Sequence, residues 1–274
     1  MDRAREEAYA HWSRLHGDLD PRGSFWVSGW VRLSHACARP LARRGVAPGV
    51  VTVAGVAVIA LTPLLAALGA AWPLVATVVV VLGAVLDGVD GALAAQTGTA
   101  SAWGRVLDAL ADRVGDVLVL GALVVLGAPF WLGAAVVVVT LLHESVRASA
   151  QAAGMPGAGV VTVWERPSRI IVAAFGTGLV GLEWLARRAG IDVLPDVDGD
   201  VIATSATGAG LVLAVVAILH LTLVVRRSLR GVSPLGSGSG RSDEPGHDPR
   251  GQHDQRQPAA GVRRAADEVE PRQR

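Results

Sequence analysis

The sequence predicts an all-α fold: a polytopic membrane protein with six transmembrane helices and an N-terminal amphipathic helix lying at the membrane surface. Three observations predict it. Of the 274 residues, 51% are hydrophobic and 18% charged, a balance foreign to ordinary soluble domains. Residues 45–86 form a run of 42 without Asp, Glu, Lys or Arg; as one helix it would measure about 63 Å, twice the hydrocarbon thickness, so it must fold back as two spans. Arginine also gathers at one set of helix ends. Arg32, Arg39, Arg43, Arg44, Arg105, Arg166, Arg169, Arg226, Arg227 and Arg230 flank the spans on one side, and only Arg187 and Arg188 on the other.

Residues 1–45 are polar and Arg-containing, with no hydrophobic stretch followed by a small-residue cleavage site, so no secretory signal is expected. Within them Trp26, Trp30, Leu33, Cys37 and Leu41 recur at spacings of three and four, with Arg32, Arg39 and Arg43 on other faces. That is the pattern of a helix resting on the inner leaflet. The apolar runs place spans at 50–68, 72–95, 105–126, 130–152, 168–186 and 201–225, with the first turn-back near 69–73. Positive residues stay on the inner side, so both termini and the Arg-rich ends are expected in the cytoplasm, in the cell membrane. Trp72, Trp131 and Trp184 mark the outer interface and Trp103 and Trp164 the inner one. Beyond the membrane domain, 46–230, the composition turns to Gly, Ser, Pro, Gln, Asp and Arg. A tail of 231–274 with that make-up is expected to be disordered.

Composition also excludes. A formal net charge of +1 gives no electrostatic footprint for nucleic acid. The single cysteine, Cys37, permits neither an internal disulfide nor a thiolate metal site.

Ionisable groups inside spans are costly and mark function, which directs attention to the second and third spans. They carry Asp87-Gly88-Val89-Asp90-Gly91 and Gly104-Arg105-Val106-Leu107-Asp108-Ala109-Leu110-Ala111-Asp112. Spacings of three and four put each acid pair on one helix face. The short connection at 96–104 predicts antiparallel neighbours, so that Asp87, Asp90, Asp108 and Asp112 converge. Four carboxylates in low dielectric require positive charge. An all-oxygen donor set calls for Mg²⁺ or Mn²⁺, and four carboxylates have room for two ions. Gly88, Gly91 and Gly104 remove side chains from surfaces expected to face this site. Asp116 continues the face one turn on and is expected to hydrogen-bond behind the ligands; His143, Glu144 and His220 are expected to be packed or locally bonded.

The pattern D-x2-D-G-x2-A-x9-G-x3-D-x3-D resembles the signature of the CDP-alcohol phosphatidyltransferase family, membrane enzymes that move a phosphatidyl or related phosphoryl group from a CDP-linked donor to an alcohol and release CMP. Gly45-Val46-Ala47-Pro48-Gly49-Val50-Val51-Thr52 is similar to the family's opening of its first membrane helix. Val146-Arg147-Ala148 and Glu165-Arg166-Pro167-Ser168-Arg169 resemble the basic segments of its actinobacterial branch, which includes phosphatidylinositol phosphate synthase. The resemblance implies metal binding by Asp87, Asp90, Asp108 and Asp112, with Asp112 also the general base. It implies that Gly49, Val50, Val51, Thr52, Gly91 and Ser101 border CDP-diacylglycerol, and that Arg147, Arg166 and Arg169 face a polyol or sugar phosphate acceptor. A homodimer is implied as well. Ala95 and Gly49 depart from the family pattern, which commonly has Arg and Asn there, and Ser149 stands at a commonly basic position; Arg105 or Arg113 is the expected replacement cation for Ala95. A transporter also carries intramembrane carboxylates, but spread over several depths. A catalytically inactive paralogue is the other alternative.

Overall fold

The computed structural model describes residues 20–155, 160–191 and 197–230, with residues 6, 9, 10 and 13. The expected tail, 231–274, most of residues 1–19 and the side chain of Trp26 lie outside them. Every element among the described residues is helical: a 3-10 turn at Pro21–Gly23, then α1 (Phe25–Arg43), α2 (Pro48–Ile59), α3 (Leu61–Ala67), α4 (Trp72–Thr97), α5 (Ala102–Val125), α6 (Phe130–Ala152), α7 (Arg166–Arg188) and α8 (Gly199–Leu229).

Local chemistry sets the ends. Ser24 caps α1 through its hydroxyl, which accepts from the Val27 amide, and Ser101 caps α5 by accepting from the Gly104 amide at 2.9 Å. Prolines 48, 73 and 167 occupy the first turns of α2, α4 and α7, where a missing N–H costs nothing. Gly98 closes α4 in the left-handed region, φ 66°. The predicted first span, 50–68, is broken at Ala60 into α2 and α3. Pro63 explains the break, because it cannot donate to the Ile59 carbonyl and its ring crowds that group.

Five segments are long and apolar enough to cross a membrane: Pro48–Ala67, Trp72–Thr97, Phe130–Ala152, Arg166–Arg188 and Gly199–Leu229. The predicted third span is the exception. α5 has 24 residues, but Arg105, Asp108, Asp112, Arg113 and Asp116 crowd its first 15.

α4 packs on α1, α2, α3 and α7; α8 packs on α6 and α7; and α5 touches α2, α3, α6, α7 and α8. The apolar core gathers Ile59, Val80, Val119, Leu120, Val136 and Trp164 with alanines of α7 and α8. Against expectation, α4 and α5 make no extended contact with each other. Direct packing would press their acids together without a cation between them; instead α2 and α7 fill the two sides of the gap. Trp164 packs between helices. It is fully buried, its indole N–H donating to Thr140 Oγ1 at 2.8 Å, and Gly210 admits its ring edge, since a Cβ there would stand 2.9 Å from it. Trp72, Trp103, Trp131 and Trp184 are exposed.

α1 lies against α4. Val31, Ser34 and Ala38 are its buried positions, while Cys37 and Leu41 pack against the cluster of Val51, Val89 and Leu93. Trp30 and Leu33 stay largely exposed.

Candidate active site

The gap between α4 and α5 is where the charges meet. One carboxylate oxygen from each of Asp87, Asp108 and Asp112 lies within 4.8 Å of the others. Asp87 sits on α4 and the other two one turn apart on α5, so the spacing of four delivers both to one side of the helix. Asp90 and Asp87 line a small adjoining cavity with Thr52, Gly55, Gly115 and Arg166. Its own carboxylate is turned to α2, where Thr52 Oγ1 donates to Oδ2 at 2.5 Å, and its Oδ1 accepts from the Gly91 amide at 2.6 Å. Three of the four predicted acids therefore form the tight group, and the fourth is buried beside it.

Arg166, first residue of α7, enters the gap. Its Nη2 stands 3.0 Å from Asp87 Oδ1, and its Nη1 pairs with Asp112 Oδ1. Gly115 lies beside it, a Cβ there falling in ordinary contact with the guanidinium at 3.5 Å. The other two predicted acceptor arginines are likewise engaged with acids. Arg147 donates to Glu165 Oε1 at 2.5 Å. Arg169 is 2% exposed and is held by Asp116 and Glu144. Arg169 is thus the most enclosed of the expected trio.

The connection into α7 is fixed by Glu165. Its Oε1 also accepts from the Thr162 amide at 2.7 Å and the Thr162 hydroxyl at 2.8 Å, and Thr162 Oγ1 meets His143 Nε2 at 3.1 Å. Burial alone pushes the Glu165 carboxyl up; the bonds from Arg147 and Thr162 outweigh it and hold the group below the ordinary glutamate value of 4.5.

The predicted donor-side residues divide. Thr52 reaches the cavity; Val51 is buried in the α1–α2–α4 cluster, and Val50 is 61% exposed. Gly49 faces Leu107. Around Gly91 there is open space for a Cβ, whereas Gly88 faces α1, where a Cβ would come 2.6 Å from Ser34 Oγ. Gly88 is thus a packing glycine for α1 and does not open the site. Ser101 acts as the α5 cap. Glu144, Thr162 and Gly115 were not assigned to the site by sequence; only the intramembrane charge of Glu144 could have signalled a partner.

Clustered carboxylates from two helices, a half-buried arginine between them and open backbone at Gly91 are chemistry suited to a hard cation and a phosphorylated ligand. Residues 46–229 match the family model described as CDP-alcohol phosphatidyltransferase. The chain belongs to this family. It is an enzyme, a phosphotransferase of phospholipid biosynthesis. The transferase is 30% identical over 225 residues to phosphatidylinositol phosphate synthase of Mycolicibacterium smegmatis, covering 79% of this chain and 94% of that relative. To the protein of the same name from Mycobacteroides abscessus it is 34% identical over 172 residues, 58% of this chain and 76% of the relative. The crystal structure of Mycobacterium tuberculosis phosphatidylinositol phosphate synthase with CDP-DAG bound matches with a TM-score of 0.58 at 24% identity, covering 75% of the transferase and 99% of that chain. The same protein in complex with manganese and citrate gives 0.57 at 23%, covering 74% and 93%. These structures share the fold.

Proposed function

We propose that the enzyme transfers the phosphatidyl group of CDP-diacylglycerol to a hydroxyl of a polyol or sugar phosphate, releasing CMP. The observation that carries this reading is the meeting of Asp87, Asp108 and Asp112, with Asp87 and Asp112 paired to the Arg166 guanidinium, in a family whose similar members are phosphatidylinositol phosphate synthases. The donor set is all oxygen and fits Mg²⁺ or Mn²⁺, in one or two ions. When bound by Asp87, Asp108 and Asp112 with Asp90 beside them, the metal supplies positive charge against the diphosphate.

The chain's own groups do the rest. Asp112 accepts the proton of the acceptor hydroxyl. The new bond joins that oxygen to the phosphorus bearing diacylglycerol, the bond from that phosphorus to the CMP oxygen breaks, and CMP leaves with its electron pair. Arg166 and Arg147 are the arginines suited to the acceptor phosphate, because a guanidinium forks onto phosphate oxygens. Arg113 is committed to Glu144, 3.5 Å away, so exposed Arg105, one turn before Asp108, is the cation that compensates for Ala95 on the donor side.

α5 is a sixth crossing in this reading. It is about 36 Å long by helix rise, and it lies among the five apolar spans. Six crossings return both termini to the side richer in Arg, the cytoplasm, and put the acids at the cytoplasmic interface, where the soluble acceptor and the nucleotide arrive. The domain is 46–230, and a homodimer is the assembly to be measured by mass in detergent.

The deciding experiment incubates purified enzyme with CDP-diacylglycerol, Mg²⁺ or Mn²⁺, and inositol phosphate, glycerol phosphate, serine or inositol in turn, following CMP. Metal-dependent release with a phosphorylated polyol is expected, and its loss in Asp112→Asn. No turnover with any acceptor, or full activity in Asp112→Asn, overturns the proposal.

A further inference from the structure

Residues 21–86 hold five arginines and no Asp or Glu. Four of the five, Arg32, Arg39, Arg43 and Arg44, lie on α1 or directly after it, and all four are exposed. Residue spacing sorts α1 into three faces. Ser34 and Ala38 are buried, and with Leu41 they form the face turned to α4, where Ala38 and Leu41 meet Val89 and Leu93. Trp30 and Leu33, 41% and 45% exposed, make an apolar edge beside exposed Pro40. Arg32, Arg39 and Arg43 share the third face, and Arg32 is steadied there by its Nε, which donates to the Ser28 carbonyl at 3.2 Å.

The helix is held at the mouth of a membrane span. Only residues 44–47 separate α1 from α2, which opens the apolar segment Pro48–Ala67. The turn between them is closed twice: the Val46 amide donates to the Leu41 carbonyl and the Gly45 amide to that of Ala42, each at 3.1 Å. Gly45 is left-handed there, at φ 67°, as this closure requires. Two contacts then tie α1 to α4. A Cβ on Gly88 would come 2.6 Å from Ser34 Oγ, and Gln96 Nε2 donates to the His35 carbonyl at 3.0 Å. These contacts bracket Asp90 in the chain, and the first is one residue from Asp87.

We infer that the arginine face of α1 binds the anionic lipid headgroups of the leaflet in which the helix lies, and that this contact keeps α1 seated on α4. Charge complementarity names the partner. α1 has no acid of its own to neutralise its guanidiniums, arginines close to an anionic membrane surface are attracted to it within a Debye length, and a guanidinium forks onto phosphate oxygens. The neighbouring Trp30 and Leu33 edge needs an apolar medium at the same time. The headgroup and acyl boundary of a bilayer offers both, whereas an acidic soluble partner would leave that edge in water. The charge of the leaflet then acts on the helix that backs the turn of Asp87, whatever acceptor the enzyme uses.

The test places the purified full chain in vesicles of phosphatidylcholine alone or of phosphatidylcholine mixed equally with phosphatidylglycerol, without metal or donor. Amide hydrogen exchange across residues 25–43 is followed by mass spectrometry. Exchange is expected to be about 5-fold or more slower in the anionic vesicles, the factor that one arginine near such a surface supplies, and the difference should shrink as salt is raised. Arg32→Gln combined with Arg43→Gln should remove most of the difference, and Arg32→Lys combined with Arg43→Lys, which keeps the charge, should retain most of it. Equal exchange of wild type in the two lipids overturns the inference, and so does a lipid effect that survives in the Gln pair. Slowing by soluble polyglutamate in neutral vesicles, with none from phosphatidylglycerol, identifies an acidic protein partner and overturns the lipid assignment. If the Gln pair does not fold, the lipid and salt series on wild type with the Lys pair carries the test. Because exchange is read without substrate, a failure of the proposed reaction would leave this result unchanged.

Discussion

Thr52 is the side chain whose role changed most between sequence and structure. It stands among residues expected to border the donor, yet its hydroxyl donates to Asp90 across 38 positions of chain. A buried carboxylate oxygen deprived of its donor costs about 1–3 kcal/mol. Thr52→Val, which keeps the shape, is therefore expected to lower kcat/KM by about 10-fold or more and to lower the melting temperature, while Thr52→Ser keeps most of both; CMP-release kinetics and melting of the purified variants measure this. Spacing within a helix made the acids legible from sequence, but no local pattern pairs Thr52 with Asp90 or Arg169 with Asp116, because those partners meet only through packing of separate helices. Glu165 gives a pH signature. Its folded-state carboxyl titrates below the ordinary 4.5, so it adds stability that is present above that value and is lost as pH falls through the lowered one. Glu165→Gln should thus be less stable than wild type at pH 7, by about 1 kcal/mol given partial solvent screening. Melting curves from pH 7 down to 4 should show that difference persist to about 4.5 and narrow below it; a difference that widens on acidification contradicts the assignment.

At the level of elements, apolar runs located the spans well because a hydrocarbon layer demands about 20 uninterrupted apolar residues whatever their order. Helix pairing is set by finer features, and there the sequence was less informative. The short 96–104 connection implied that α4 and α5 pack together, whereas like charge on their facing sides admits Arg166 between them. α1 docks on α4 at Gly88, one residue from Asp87. A Cβ at Gly88 would stand 2.6 Å from Ser34 Oγ and 3.0 Å from Trp30 Nε1, so a larger side chain must push α1 off or shift the turn carrying Asp87. Gly88→Val is expected to cost about 1–3 kcal/mol by overpacking and to weaken Mn²⁺ binding by calorimetry. Gly88→Ala combined with Ser34→Ala, which removes the nearest clash, should recover much of the stability lost in Gly88→Ala alone. Equal stability of Gly88→Val and wild type would mean that α1 is not seated there.

For the whole molecule the open quantity is the number of crossings, and α5 decides it. Five charges lie between Arg105 and Asp116, which is why composition alone identifies five spans, yet three of them are directed to partners: Asp112 to Arg166, Arg113 to Glu144 and Asp116 to Arg169. Paired in this way, charged groups within a bundle avoid the cost of facing lipid, and the apolar stretch of α5 after Asp116 completes the span. If α5 crosses, the turn before it at Thr99 and the start of α6 at Phe130 lie on opposite faces of the membrane; if it does not, they lie on the same face. Both sites are accessible, Phe130 being 79% exposed and Thr99 exposed. In a Cys37→Ser background, a membrane-impermeant maleimide applied to intact cells should label Phe130→Cys, and Ile191→Cys beyond α7, but Thr99→Cys only after permeabilisation. Matching accessibility of Thr99→Cys and Phe130→Cys would remove the sixth crossing. It would also separate the two termini across the membrane, since five crossings cannot return the chain to the side on which it began.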